Sequence, residues 1–343
     1  MTLPRRTNYR RGARPEAENP LERASGHEEK ILRVLVTGGS GFIGNHLARA
    51  LARSGVDVMV LDVMDFPGPA AGGAAIVYRK GSVLDDAAIE PAIREAHVAV
   101  HLAGIAEPML YGSDPLATLD VNLLGTIKVA RLCAAHRVPM VFSSTSEIYG
   151  DNPALPWSED SGRVMGPVSS VRWCYATAKA AAEHYLDACH RQLGLNYTVA
   201  RLFNVYGPGL KGRVVDGFIR RALAHEPLVI HGDGSQTRCF THVGDAVEAF
   251  MRIVARPIEG AHTYNVGDDT ETSIGDLARL TIDLCHSRSA ATFVPHREVY
   301  PGFEDVRRRR PDLRAIRRDL GWRSATPLRD GLRMTVEAMR DGH

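Results

Sequence analysis

Tyr175 and Lys179, four residues apart in Tyr175-Ala-Thr-Ala-Lys179, are a pair suited to proton transfer. On a helix, positions i and i+4 project from one face, which sets a phenol beside an ammonium. The adjacent positive charge favours phenolate, and a phenol so tuned removes the proton of an alcohol as a general base while hydride leaves. Upstream, Ser143-Ser-Thr145-Ser146-Glu147-Ile-Tyr149-Gly150 forms a hydroxyl-rich strand end able to hold a substrate alcohol against Tyr175. As bare patterns both also have ordinary readings: Tyr-x-x-x-Lys is a common surface pair, and serine clusters are frequent in turns.

A hydride needs an acceptor. Gly38-Gly-Ser-Gly41-Phe42-Ile43-Gly44 lies between a β-rich run and an amphipathic stretch. Missing side chains there let backbone N–H groups and a helix N-terminus approach a pyrophosphate. The next apolar run ends in Asp62, a carboxylate placed to accept ribose hydroxyls and to repel a 2′-phosphate, which favours NAD over NADP. His101-Leu102-Ala103-Gly104 closes a further strand with small residues, as needed where backbone passes close to a cofactor.

The elements that must position these groups follow from the hydrophobic pattern. Strands are expected at Ile31–Thr37, Val56–Asp62, Ala75–Tyr78, Val98–Leu102, Pro139–Ser143 and Tyr197–Arg201. Helices are expected at His46–Arg53, Leu84–Glu95, Leu116–His136 and Tyr175–Gln192. This alternation predicts an α/β fold, a doubly wound parallel sheet. Beyond Asn204 it loosens, with helices at Val215–His225, Gly244–Ala255 and Ile274–Cys285 and strands at Leu228–His231 and His262–Val266. We read that part as a smaller mixed lobe closing over the sheet edge where ligands of open α/β sheets bind. The expected division is an extension over 1–30, a dinucleotide-binding domain over 31–203 and a substrate lobe over 204–343, with elements interleaved between the last two.

Composition narrows the alternatives. Of 343 residues, 44% are apolar and 24% charged, and 42 Lys+Arg balance 40 Asp+Glu, so no strong field draws the chain to nucleic acid or acidic membrane. Its apolar stretches are too short to span a bilayer, and the polar, Arg-containing first thirty residues lack the apolar core of a secretory signal, so we expect them to be largely disordered. Five cysteines, without Cys-x-x-Cys or Cys/His metal spacing, suit a reducing cytoplasm and no metal site.

Taken in order, TGGSGFIG, Asp62, HLAG, Asn122 in DVNLLGT, SSTSEIYG, YATAK and RLFNVYGP resemble the extended short-chain dehydrogenase/reductase family, over roughly residues 31–335. Within it, STSEIYG, GPVSSVRWCYATAK, the run from Gly212 to Phe250 and GFEDVRRRRPDL are similar to the UDP-glucuronic acid decarboxylases. The resemblance implies a Rossmann-type fold, NAD held by Gly38, Gly41, Phe42, Ile43, Gly44, Asp62, Leu102 and Ala103, and a UDP-sugar substrate. It assigns Tyr175 and Lys179 to the catalytic pair, Thr145 and Ser146 to the hydroxyls beside it, and Asn122 to a buried asparagine. Asn204, Arg213 and Arg238 match nucleotide-sugar contacts. Glu147 and the Arg307–Arg310 run, best in the register of Arg309, match the groups that handle the sugar carboxylate. A homodimer through a four-helix bundle, built from the Ala176–Leu186 face and Leu116–Cys133, is also implied.

Two departures from the family pattern stand out. Gly81-Ser82 replaces a Gly-Asp segment, which puts the usual adenine contact in doubt, and Gly104 replaces an alanine, which is expected only to loosen packing. A substrate carboxylate near Glu147 should push it toward protonation or be destabilised itself in the ground state, since like charges raise carboxylate pKa values. The competing activities are a UDP-sugar 4-epimerase, a 4,6-dehydratase, disfavoured because Ser146-Glu147 lacks that group's Asp-Glu, and a non-catalytic NAD sensor.

Overall fold

The computed structural model describes residues 32–67, 76–295, 298 and 306–342; the expected N-terminal extension and part of the GFEDV segment lie outside them. Seven strands, β1 (Arg33–Thr37), β2 (Asp57–Asp62), β3 (Ile76–Lys80), β4 (Val98–His101), β5 (Met140–Thr145), β6 (Tyr197–Leu202) and β11 (Ala261–Val266), form one sheet in the order β11-β6-β5-β4-β1-β2-β3. Every pairing in it is parallel. Runs such as Val34-Leu-Val36 and Val58-Met-Val-Leu61 are apolar at consecutive positions because both faces are covered.

Helices α1 (Phe42–Arg53), α2 (Asp86–Glu95), α3 (Pro108–Ser113), α4 (Pro115–Leu119), α5 (Thr126–His136) and α6 (Cys174–Leu193) belong to the first part of the chain. Beyond it lie α7 (Val214–Leu223), α8 (Val243–Val254), α9 (Ile274–Cys285), α10 (Arg314–Leu320) and α11 (Leu328–Arg340). Leu47 and Leu51 of α1 share a core with Val247 and Phe250 of α8 and with Val36 and Val60 of the sheet. On the opposite face, Ile89 and Ile93 of α2, Val129 and Cys133 of α5 and Leu186 of α6 pack on Leu35, Met59 and Met140.

The expected strand at His262–Val266 is thus corrected in place: it pairs with β6 and widens the main sheet, and α8 before it covers that sheet. A separate core is built from Val215 and Phe218 of α7, Ile230, Leu277 of α9 and Leu332 of α11. It carries the short strand pairs β8 (Leu228–His231) with β13 (Ala291–Val294), and β9 (Thr237–Cys239) with β12 (Glu271–Ser273). A further parallel pair, β7 (Val205–Tyr206) with β10 (Thr241–His242), links the two halves.

The predicted helix Leu116–His136 is one helical run interrupted at Asp120–Gly125 by a π-turn, a device that re-aims side chains and is frequent at functional sites. Helix α1 starts at Phe42, four residues earlier than its apolar pattern indicated, because the glycine turn itself supplies the first helical turn. No helix among the described residues is long and apolar enough to cross a membrane.

Leu47 is fully buried at the centre of the α1–α8 core. Leu47→Ala should cost about 2–5 kcal/mol, read as a lower denaturant midpoint at unchanged slope.

Candidate active site

The site is assembled where β4, β5 and β6 end. α6 begins at Cys174, directly after a single 3₁₀ turn at Val171–Trp173, so Tyr175 and Lys179 occupy its first two turns and point under the sheet edge. Both are buried, at 7% and 3% exposure. The Thr145 hydroxyl, at the tip of β5, faces the Tyr175 phenol and favours its ionised form. Tyr111 of α3 lies flat on the Tyr175 ring, with centroids 4.9 Å apart and planes 9° from parallel. Lys179 Nζ donates to the Ser143 carbonyl at 3.0 Å and sits 4.7 Å from the centre of the Phe142 ring.

Electrostatics here differ from the sequence expectation. Burial, and then the Glu147 carboxylate, push the Tyr175 phenol upward, so a neighbouring lysine does not by itself make it a phenolate. Burial also takes Lys179 down to about 7, against the opposing pull of Glu183. Burial and the Lys179 charge together hold His101 at about 3, which keeps that imidazole neutral between Thr37 and Thr126.

Glu147 lies on the 3₁₀ turn Ser146–Tyr149 that follows β5, with Ser146 buried beside it. Arg172 Nη1 donates to its Oε2 at 2.6 Å and Arg309 Nη1 approaches its Oε1 at 3.5 Å. Burial favours protonation, but the two guanidinium groups prevail and hold the carboxyl at about 2. Glu147 is thus held ionised by the two arginines. Of the four consecutive arginines, Arg309 is the one turned inward, at 6% exposure, while Arg308 forks onto Glu271 at the surface.

Glu147, Arg172 and Arg309 form one end of a cleft of about 520 Å³ that runs toward the second core and is also lined by Asn204, Arg213 and Arg238. Asn204 adopts φ 38° and donates to the Cys239 carbonyl, and Arg213 at the start of α7 donates to the Ala106 carbonyl. Arg238 is buried on β9 and donates to the Thr237 carbonyl.

At the other side of the sheet edge, Gly38 has φ 74° and so close an approach to the β4 end that a Cβ would lie 2.5 Å from the Ala103 nitrogen; Leu102 donates its N–H to the Thr37 carbonyl. A Cβ on Gly44 would come within 2.1 Å of the Gly38 carbonyl oxygen. The glycines thus close the turn on itself, a Cβ on Gly41 also lying 3.3 Å from the Gly38 carbonyl oxygen, and no side chain caps the first N–H groups of α1, at Phe42 and Ile43. A helix N-terminus of that kind fits a pyrophosphate. Asp62 is buried at the end of β2, accepting the N–H groups of Ser40 and Met64 at 2.9 Å each, and its carboxylate is thereby fixed at the rim of the cradle.

Ser82 accepts the Leu84 N–H through its hydroxyl at 3.1 Å. Gly104 is corrected: a Cβ there would lie 2.5 Å from Asn122 Oδ1 and 3.3 Å from Lys179 Nζ, so glycine permits a tight approach rather than loose packing. Asn122, inside the π-turn, donates to the Ile105 and Thr118 carbonyls at 2.8 Å each. Its buried Oδ1 has no hydrogen-bond partner among the described residues, an acceptor that suits a hydroxyl of a bound cofactor.

Sequence reasoning missed Arg172 and Tyr111. Arg172 stands three residues before Tyr175, and its spacing to the tyrosine carries no sign of burial; only its pairing with Glu147 reveals it. Tyr111 sits on a six-residue helix that the apolar pattern did not mark.

Because Glu147 titrates lower in the folded than in the unfolded chain, its ion pair stabilises fully above the ordinary carboxylate range, and that contribution is lost as pH falls through about 2. In Arg172→Met, ¹³C-carboxyl NMR should show the Glu147 midpoint raised above its wild-type value, with acid unfolding beginning at higher pH.

The comparisons with known proteins come to the same place. The family described as NAD dependent epimerase/dehydratase matches residues 34–267. The chain is 34% identical to the UDP-N-acetyl-alpha-D-glucosaminuronate decarboxylase of Bacillus cytotoxicus over 319 residues, 90% of this chain and 98% of that one. It is 35% identical to UDP-glucuronic acid decarboxylase 1 of Danio rerio, over 90% of this chain and 73% of the relative. Among solved structures, MoeE5 in complex with UDP-glucuronic acid and NAD superposes with a TM-score of 0.82 at 28% identity, covering 91% of this chain and all of that one. The UDP-glucose 4-epimerase of Thermotoga maritima with UDP-glucose gives 0.81 at 28% identity, over 91% of this chain and 99% of that one. With a seven-stranded parallel sheet, a glycine cradle and a Tyr175–Lys179 pair at its edge, this chain belongs to the NAD-dependent epimerase/dehydratase family of enzymes.

Proposed function

We propose that the chain decarboxylates UDP-glucuronic acid, through a UDP-4-keto intermediate, to UDP-xylose or the UDP-4-keto-pentose. The observation that carries this reading is the buried Glu147–Arg172–Arg309 cluster, set on the same β5 end as the hydroxyl that meets Tyr175. Two guanidinium groups turned into a cleft are shaped for a planar carboxylate. The decarboxylase names of the two relatives above support it. Oxidation at C4 turns the C6 carboxylate into a β-keto acid, so carbon dioxide leaves with its electrons delocalised onto the ketone oxygen.

NAD, held by Gly38, Gly41, Phe42, Ile43, Gly44, Asp62, Leu102 and Ala103, supplies hydride acceptance and return when bound. Thr145 and Tyr175 hold the C4 hydroxyl, and Tyr175 takes its proton, with Lys179 beside it supplying positive charge. Arg309 and Arg172 hold the sugar carboxylate. A second carboxylate arriving between these arginines competes with Glu147 for them and raises its proton affinity, which makes Glu147 an acid for C5 once carbon dioxide has left. Asn204, Arg213 and Arg238 line the part of the cleft suited to the diphosphate and nucleoside.

We also infer a homodimer, with a corrected surface. Ala176, Ala180 and Leu186 face the chain's own cores, whereas Leu116 and Leu124 are exposed on the α4–α5 run and are free to meet a second copy. A monomeric mass at micromolar concentration would reject this part of the reading.

Incubation with NAD and UDP-glucuronate, followed by NMR, should show a UDP-pentose; a UDP-galacturonate would mean a 4-epimerase, and turnover only of the N-acetylated glucuronate would move the substrate. Tyr175→Phe should lose at least roughly 10²-fold in kcat with little change in UDP-sugar affinity. Glu147→Ala, by removing both the acid for C5 and the like charge that destabilises the substrate carboxylate, should reduce carbon dioxide release more than C4 oxidation, seen as accumulated NADH absorbance against trapped ¹⁴CO₂.

A further inference from the structure

Helix α6 carries a third titratable side chain at the spacing of the first two. Glu183 follows Lys179 by four residues, so phenol, ammonium and carboxylate descend one face of the helix. Its carboxylate is fully engaged. Oε1 accepts the Ser144 hydroxyl, Arg201 Nε reaches both oxygens at 3.2 Å, and Arg201 Nη2 donates to Oε2 at 2.7 Å. Ser144 stands between Ser143, whose carbonyl accepts Lys179 Nζ, and Thr145, whose hydroxyl meets Tyr175. One carboxylate therefore ties down the strand end that holds both members of the pair.

Lys179 needs a counter-charge, since a buried ammonium otherwise loses its proton. Its contacts with the Ser143 carbonyl and the Phe142 ring supply only partial charge. The groups facing it are His101 from β4, which is neutral, Asn122 from the π-turn, Tyr175 from its own helix, and Arg201 of β6 behind Glu183. Glu183 is the carboxylate that opposes the effect of burial on Lys179. It is also reached from outside the substrate cleft, through a separate cavity of about 430 Å³ lined by Arg163, Glu183, His184, Asp187, Arg191 and Arg201.

We propose that Glu183 is a positioning residue that keeps Lys179 charged beside Tyr175, and that Arg201 sets how much of its negative charge reaches the lysine. The proposal rests on the reading of Tyr175 and Lys179 as the proton-transfer pair, but its first test needs no turnover. If Glu183 and Arg201 served only to pin α6 to β6, losing either would weaken the fold alike and leave Lys179 unmoved.

The chain has five lysines, at 30, 80, 128, 179 and 211, so ¹³Cε-lysine NMR of the full-length protein is resolvable, with Lys179→Arg assigning the signal. Glu183→Gln keeps the size and removes the charge; the Lys179 midpoint should fall by about one pH unit, a tenfold loss of ammonium above it. Arg201→Met releases the Glu183 charge, and the midpoint should rise. Opposite displacements support the proposal; unmoved midpoints, or displacement in one direction in both variants, overturn it. The double variant Glu183→Gln with Arg201→Met leaves no unpaired charge and guards against misfolding: its midpoint should lie between those of Glu183→Gln and the wild type, because the arginine cation is removed as well, and a midpoint at or above the wild type overturns the proposal. In assays with UDP-glucuronate the alkaline limb of kcat should follow these displacements. Should the NMR midpoints move while the limb stays fixed, the proton-transfer reading of Lys179 fails and the electrostatic role of Glu183 stands.

Discussion

A charged lysine beneath the end of a parallel sheet is the constraint on which the site depends. Lys179 is 3% exposed, and burial drives its ammonium down toward neutrality. Around it the fold supplies a backbone carbonyl, an aromatic face and, one turn along α6, a carboxylate itself held by a serine and an arginine. The arrangement trades stability for a group whose proton is loosely held near neutral pH, a property of use in proton transfer and of none in a core.

A second buried charge cluster sits one strand turn away and works in the opposite sense. Glu147 is held strongly ionised because Arg172 and Arg309 reach it from two remote parts of the chain. Arg172 and Arg309, fixed against Glu147 in the lining of the cleft, present guanidinium planes whose set geometry suits an anion and spares reorganisation. The Arg307–Arg310 stretch can deliver only one arginine because its backbone is threaded: Thr237 donates to the Arg307 carbonyl and Trp157 to that of Arg310, and Glu271 draws Arg308 outward.

Close backbone approach ties these clusters to the cofactor side. At Gly38, Gly44 and Gly104 a methyl group would overlap backbone or the Asn122 amide, so the β1–α1 turn, the β4 end and the π-turn pack against one another with no side chain between. Asn122 and the lysine both stand against Gly104 at the β4 end. The π-turn that carries it occupies the middle of what would otherwise be a plain helix.

Much of the scaffold was legible because alternating apolar runs and amphipathic stretches record which faces are covered. The order of β1 to β6 and the position of α6 follow from that pattern, as does the placing of Tyr175 and Lys179 together on α6. The main-sheet position of Ala261–Val266 was not legible, since a short apolar run does not say which strand it will pair with. Sequence by itself determined the local elements, the glycine turn and the residue types able to do chemistry, because these depend on neighbours within a few positions. Only the tertiary structure decided which arginines meet Glu147, that Tyr111 covers Tyr175, and that Glu183 stands behind Lys179 with its charge shared by Arg201. Burial and pairing between residues remote in sequence, such as His46 and Pro208 at a separation of 162, are set by packing, and pKa values follow from them.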